Sequence, residues 1–216
     1  MSELRIDSLV LGMVSTNCYL IYNDRTREAV IVDPADSAPR IKSRCGELQL
    51  QPRAVLLTHG HGDHILAAKD ICRAYDISLY AGRKEAGLLK DPSWNLSDSL
   101  GLGSVSLEAD VWVDEGEHLQ LAGFDWQVIE TPGHTKGSVC YYIAEEEVLI
   151  SGDTLFAGSL GRTDFPGGSM REIVDSIAGK LLVLPDEVMV YPGHGEQTSI
   201  GFEKKYNPVA VYMQKH

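Results

Sequence analysis

Residues 59–64 read His59-Gly60-His61-Gly62-Asp63-His64, three histidines and an aspartate within six positions, directly after the apolar run Ala54-Val55-Leu56-Leu57. Core packing offers no reason for such a cluster, whereas metal coordination does. In an extended segment residues i and i+2 point to the same side, so His59 and His61 can grip one ion. Asp63 and His64 fall where the chain turns into a helix; they aim elsewhere and suit a second ion. Taken alone, Asp63 also fits a helix N-cap. Gly60 and Gly62 leave room around the cluster. Imidazole and carboxylate suit zinc, iron or manganese. The four cysteines, Cys18, Cys45, Cys72 and Cys140, lie far apart and form no CxxC pair, which argues against a structural thiolate site.

The same context recurs along the chain. Val128-Ile129-Glu130-Thr131-Pro132-Gly133-His134, Val148-Leu149-Ile150-Ser151-Gly152-Asp153 and Val188-Met189-Val190-Tyr191-Pro192-Gly193-His194 each carry a histidine or aspartate in a Gly- or Pro-containing loop after an apolar strand. Strand ends at one edge of a layered fold converge in space, and ligand sites favour such edges. A lone His118 in a polar strand and His216 at the terminus are not expected to be ligands.

Between these loops strands and helices alternate. Leu9–Val14, Cys18–Tyr22 and 29–32 read as a β-meander, and Ala38–Leu48 as a helix capped by Asp36 or Ser37. Ile65–Tyr75 has its apolar residues on one helical face. A strand at 78–80, a helix over Glu85–Lys90 and a surface loop from Asp91 to Ser104 follow. Residues Val111 to Ile150 are mainly strands, with hairpins at Ala122-Gly123 and Glu145-Glu146. Met170–Val183 is helical, 188–191 is a strand, and Pro208–Gln214 is a terminal helix. This is a layered α/β pattern in one domain over 1–216. With 44% hydrophobic residues the chain can bury a substantial core, and a net charge of −12 disfavours nucleic acid or anionic membrane as partner. The N-terminus lacks a basic-then-apolar leader and no run of 18 apolar residues occurs, so cytoplasm and reduced cysteines are expected. A monomer or small homo-oligomer is the expected state.

Thr58-His59-Gly60-His61-Gly62-Asp63-His64 resembles the HxHxDH signature of the metallo-β-lactamase superfamily. Thr131-Pro132-Gly133-His134, Gly152-Asp153-Thr154 and Pro192-Gly193-His194 resemble its later motifs, in order, and Asn17-Cys18-Tyr19 and Ile31-Val32-Asp33-Pro34 its opening strands. Within the superfamily the chain looks most like short bacterial type II glyoxalases (hydroxyacylglutathione hydrolases), through 151–156, 161–165, 191–195 and Tyr206-Asn207-Pro208. The resemblance implies an αββα sandwich with two divalent metal ions, zinc expected and iron or manganese as the other candidates. His59, His61 and His134 would hold one ion, Asp63, His64 and His194 the other, with Asp153 bridging. Asp33 and Thr58 would orient ligand histidines; the plainer reading of Asp33 is a turn residue before Pro34.

The implied reaction is hydrolysis of a glutathione thioester, S-D-lactoylglutathione to D-lactate and glutathione, by a metal-bound hydroxide, with Asp63 accepting a proton late in the cycle. Compared with the longer glyoxalases, no C-terminal helical domain is expected here, and Arg162-Thr163-Asp164 stands where they have a Lys-x-Tyr glutathione contact. Arg162 is a candidate for a substrate carboxylate or for a salt bridge with Asp164. Lys136, where this loop commonly has proline, is a surface charge or an attractor of anionic substrate. The main alternative is a mononuclear Fe(II) glutathione persulfide dioxygenase using His59, His134 and Asp153; a lactonase or β-lactamase and a non-enzymatic metal-binding module follow.

Overall fold

The computed structural model describes residues 3–99, 101 and 103–213. Strands β1 (Leu4–Leu11), β2 (Thr16–Asn23), β3 (Glu28–Val32), β4 (Gln51–Leu56), β5 (Ser78–Gly82) and β6 (Val111–Val113) form one sheet in sequential order. Pairing is antiparallel from β1 to β3 and parallel from β3 to β6. The second sheet contains β7 (His118–Leu121), β8 (Phe124–Glu130), β9 (Val139–Ile143) and β10 (Val148–Gly152). A separate hairpin of β11 (Leu155–Phe156) and β12 (Ser159–Leu160) follows, and β13 (Met189–Pro192) and β14 (Thr198–Ser199) complete that sheet in the order β14-β13-β10-β9-β8-β7.

The unbroken apolar runs of β3 and β10 are explained by burial on both faces. Val30, Val32, Val148 and Ile150 meet between the sheets, with Leu56, Trp126, Val128 and Tyr141. Ala29 and Ile31 face the other way, onto α1 (Ala38–Glu47), α2 (Gly62–Ile65) and α3 (Ala68–Tyr75) through Ile41, Ile65 and Ile71. Leu149, Ile129 and Cys140 likewise pack on the outer helices through Ile173, Ile200 and Val209. The result is the expected αββα sandwich. Trp126 and Tyr141 fill its centre, fully buried. Their polar tips are satisfied, the indole N–H by the Leu121 carbonyl at 3.1 Å and the phenol by the Leu57 carbonyl at 2.9 Å. Truncating Trp126 to alanine would cost about 3–5 kcal/mol.

Several local expectations are corrected. The first strand runs over Leu4–Leu11 rather than to Val14, because Gly12 and Ser15 take positive φ and turn the chain back so that Leu11 pairs with Thr16. Ser37 occupies the first cap, but in a left-handed conformation with no side-chain bond to the helix; Asp36 instead accepts the Ser37 N–H. The helix expected over Ile65–Tyr75 starts earlier, at Gly62, and breaks at 66–67, where the Ala67 N–H donates to the Pro34 carbonyl. Asp63 is therefore inside the first turn, and His61 is the cap residue. The short helix near 85 is a 3₁₀ turn over Arg83–Glu85 leading into α4 (Ala86–Lys90). The helix from Met170 is regular as α5 (Met170–Ser176) and widens to a π-turn over Ile177–Leu181. Helices α6 (Ile200–Tyr206) and α7 (Pro208–Met213) end the described chain, and Gln214 and His216 lie outside the described residues. No described helix is long and apolar enough to cross a membrane.

Candidate metal centre

Every chemically loaded loop leaves the C-terminal end of a strand. Asp33 follows β3, Thr58 and His59 follow β4, and Asp63 and His64 lie in α2. His134 follows β8, Asp153 follows β10 and His194 follows β13. The two sheets are joined at this edge: Thr16, at the start of β2, bridges to His194. The Asn17 amide donates to the Pro192 and Gly195 carbonyls, both at 3.0 Å, and the Tyr19 hydroxyl to the Pro192 carbonyl at 2.7 Å. Residue 193 must be glycine here, because a Cβ would stand 2.2 Å from Asp153 Oδ1 and 2.7 Å from His64 Cε1.

The predicted cluster assembles as two triads. His59, His61 and His134 form one and Asp63, His64 and His194 the other, each with its ligand atoms within 4.8 Å of one another. Asp153 stands between them: Oδ1 is 3.5 Å from His64 Nε2, and Oδ2 is 3.6 Å from both His134 Nε2 and His194 Nε2. His61 Nδ1 faces His134 Nε2 at 2.9 Å, and His64 Nε2 faces His194 Nε2 at 3.3 Å. Imidazole nitrogens this close repel unless a proton or cation lies between them. His59 Nε2 and Asp153 Oδ1 are buried without a hydrogen-bond partner, as befits donor atoms for a cation. The residues present thus fit divalent metal ions, and their oxygen/nitrogen donor set suits zinc, iron or manganese alike.

A hydrogen-bond relay orients the rings. Asp33, buried and left-handed at φ 47°, accepts the Thr58 N–H on Oδ1 at 2.8 Å. Its Oδ2 takes the Thr58 hydroxyl at 2.6 Å and His64 Nδ1–H at 2.9 Å. Thr58 Oγ in turn accepts from His59 Nδ1–H at 3.1 Å. Both rings are left with Nε2 turned toward the centre, the usual job of groups behind a metal-binding histidine. Asp33 is also within metal-binding reach of His59 and His64. Its oxygens are already taken by three donors, so it acts from behind the rings. His134 Nδ1–H donates to the Arg162 carbonyl at 2.8 Å, fixing its tautomer in the same way.

The two triads differ electrostatically. Burial, reinforced by neighbouring imidazoles, lowers His59, and burial with His134 beside it pushes His61 down to about 3. Burial also lowers His134. All three rings are thus biased toward the neutral form, and His59 Nε2 and His61 Nε2 are buried without a hydrogen-bond partner. Burial also opposes charge on His64, but the carboxylates of Asp63, Asp153 and Asp33 outweigh it and raise His64 to about 10. Burial likewise works against charge on His194, and a hydrogen bond to Asp63 with Asp153 nearby raises it. Burial raises Asp63, but His64, His194 and the Thr16 hydroxyl bring it well below the usual carboxylate range. Without a cation, a proton on His64 offsets part of this negative charge.

Above the centre opens a cavity of about 500 Å³, walled by Val14, Leu96, Phe156, Leu160 and Phe165 with Arg162 at its mouth. Arg162 lies over the Phe165 ring at 3.9 Å and makes a two-pronged pair with Asp164 at 2.7 and 2.6 Å. Lys136 is exposed, its stem passing over Gly167, and it does not line this cavity. His118 is exposed and 2.8 Å from Asp125, away from the centre. Sequence reasoning gave no role to four contributors. Thr16 donates to Asp63 Oδ2 at 3.0 Å. Glu203 and Asn207, both fully buried, hold the β11–β12 hairpin: Glu203 accepts the Gly158 N–H at 3.0 Å and Asn207 donates to the Ser159 carbonyl at 2.9 Å. Glu85 reaches Gly60 and Gly137. A carboxylate that serves distant backbone N–H groups leaves no spacing pattern to read.

Comparison with known proteins agrees with this architecture. A hydroxyacylglutathione hydrolase, GloC of Haemophilus influenzae, is 36% identical over 207 residues, covering 95% of this chain and 97% of that protein. The crystal structure of the BLEG-1 B3 metallo-beta-lactamase superposes with a TM-score of 0.91 at 40% identity, covering 96% of this chain and all of the other. That of ETHE1 from Myxococcus xanthus does so with a TM-score of 0.80 at 32% identity, covering 96% and 85%. Residues 11–194 match the family model of the metallo-beta-lactamase superfamily, a span that begins at the end of β1 and closes on the last histidine of the centre, and the chain belongs to that superfamily.

Proposed function

We propose that this chain hydrolyses a thioester, with S-D-lactoylglutathione as the expected substrate, at two divalent cations. His59, His61 and His134 would hold one and Asp63, His64 and His194 the other, with Asp153 shared. The observation that carries the reading is the position of Asp153, within 3.6 Å of nitrogens from both triads on the floor of an open cavity. Bound there, such ions supply Lewis acidity and a hydroxide nucleophile near neutral pH. The chain's own residues do the rest. Asp33, Thr58 and the Arg162 carbonyl lock the ring orientations, and Thr16 fixes Asp63, the residue assigned to accept a proton late in the cycle.

The walls favour a thioester over an amide. Among the described residues the cavity lining has no lysine, tyrosine or cysteine to protonate a poor leaving group. A thiolate, whose conjugate acid has a pKa of about 8.5, departs without one. The apolar wall of Val14, Leu96, Phe156, Leu160 and Phe165 suits the aliphatic parts of such a substrate, and Arg162 at the mouth suits a carboxylate that shares it with Asp164. The likeness to GloC supports this substrate class.

A second reading, a glutathione persulfide dioxygenase using His59, His134 and Asp153 around one iron, is favoured by the likeness to ETHE1. The complete second triad, with Thr16 and Asp33 holding its members, speaks for two cations instead. The discriminating experiment supplies protein reconstituted separately with zinc, iron and manganese with S-D-lactoylglutathione and, in parallel, with glutathione persulfide and oxygen. Rapid thioester cleavage without oxygen uptake is expected; oxygen consumption by protein holding one iron, with no thioester cleavage, overturns the proposal.

A further inference from the structure

Below the imidazole triad the structure buries a carboxylate that metal coordination does not use. Glu85, in the 3₁₀ turn after β5, is 1% exposed. Its Oε2 accepts the Gly60 N–H at 2.7 Å and its Oε1 the Gly137 N–H at 2.8 Å, with the Thr135 hydroxyl alongside. Gly60 lies between His59 and His61, and Gly137 is three residues beyond His134. One side chain therefore ties together the two loops that supply the whole imidazole triad, though they are about 75 residues apart in sequence. The cradle is close-fitting: a Cβ on Gly137 would stand 2.4 Å from the Glu85 nitrogen and 2.8 Å from its Oε1.

Charge points the same way. Apart from the shared Asp153, His59, His61 and His134 bring no negative charge of their own to a dication, whereas the other triad contains Asp63 and has Asp33 in direct contact with His64. Burial raises Glu85 above the usual carboxylate range, and the Thr135 hydroxyl with the Gly60 and Gly137 N–H groups, one on each oxygen, opposes that shift.

We propose that Glu85 is a positioning residue for the imidazole triad, setting the spacing of its two loops and supplying the buried negative charge that the three rings lack. This rests on the metal-centre reading above. The arrangement implies that loss of Glu85 weakens one metal site and spares the other, which a purely structural role would not do. Glu85→Gln keeps the shape but removes the charge and turns an amide NH₂ toward one of the two N–H donors.

The test is a zinc titration of Glu85→Gln in two backgrounds. His194→Ala leaves the imidazole triad intact, and His59→Ala leaves the carboxylate-bearing triad intact. Zinc affinity is expected to fall tenfold or more in the first background, in the roughly 10–100-fold range of groups behind metal ligands, and less than threefold in the second. A smaller loss in the first, or equal losses in both, overturns the proposal. If the variants do not fold, hydrogen exchange of the wild-type Gly60 and Gly137 amides decides. Both should be protected together and slow further when zinc is added; independent exchange indifferent to zinc overturns it. Wild-type protein that takes up fewer than two zinc ions would sink the metal-centre reading itself, whatever Glu85 does.

Discussion

The two triads share Asp153 and a strand-end origin, yet they are built on opposite principles. His59, His61 and His134 are 1–3% exposed, neutral, and clamped from behind by Thr58, Glu85 and the Arg162 carbonyl. Asp63, His64 and His194 sit among carboxylates that hold a proton on His64 and raise His194, and the His194 side chain is 27% exposed. A cation entering the first triad finds neutral imidazoles in a closely held cage. One entering the second must first displace the His64 proton, through a more open face. Desolvation dominates one half of the centre and charge pairing the other, so the halves should differ in affinity, pH response and exchange rate.

The largest expected effect comes from removing the group the halves share. Asp153→Ala should lower thioester turnover by on the order of 10³-fold or more, and elemental analysis should find fewer than two metal ions per chain. Full turnover in that variant would mean that the two triads work separately. A smaller effect distinguishes the relays. Asp33 serves His64 directly and His59 through Thr58, so Asp33→Ala should weaken metal binding at both triads, by about 10–100-fold. Thr58→Val should do so only at the imidazole triad. Equal losses in the two variants would erase the distinction.

The pH response should also separate the halves. Because His64 is raised to about 10, binding at the carboxylate-bearing triad should strengthen as pH rises toward that value, by about tenfold per unit for each proton displaced. With His61 at about 3, the imidazole triad should respond weakly above neutrality. In the metal-free protein the two histidines act on stability with opposite signs. The raised His64 contributes fully below its unfolded value of about 6.5 and loses that contribution as pH climbs through 10. The lowered His61 costs stability as pH falls below about 6.5, where only the unfolded chain takes up the proton. Thermal unfolding of metal-free protein should be most stable near that crossover, and stability rising steadily to pH 10 would contradict the assignment. The smallest expected effect lies farthest from the metals. Glu203→Gln loosens the hairpin carrying Phe156, Ser159 and Leu160, and should raise KM severalfold while leaving metal content unchanged.

What could be read from the sequence, and what could not, follows the same division. The six side chains of the two triads and Asp153 were visible because the loop or turn that carries each follows an apolar strand, and the structure brings them to one edge. The layered α/β character was legible because its doubly covered strands are unbroken apolar runs, whereas the αββα arrangement came only from the family resemblance. The break after α2 was hidden because the N–H at Ala67 is diverted to Pro34, a tertiary contact with no local signal. Glu85 read only as a helix start, and Thr16 and Glu203 carried no motif to single them out. Their meaning lies in backbone groups 25 to 52 residues away for Glu85, and 45 away for Glu203. Arg162 was weighed between a substrate and a salt-bridge role, and the structure pairs it with Asp164 at the cavity mouth.

If two unequal triads each hold a cation and act together, titrating metal-free protein with zinc while following turnover of S-D-lactoylglutathione at each step will separate them. A first equivalent should bind tightly with little turnover, then a second more weakly and more pH-dependently, with turnover rising in proportion to the second. Full turnover at one equivalent, with no second binding event, would contradict that arrangement.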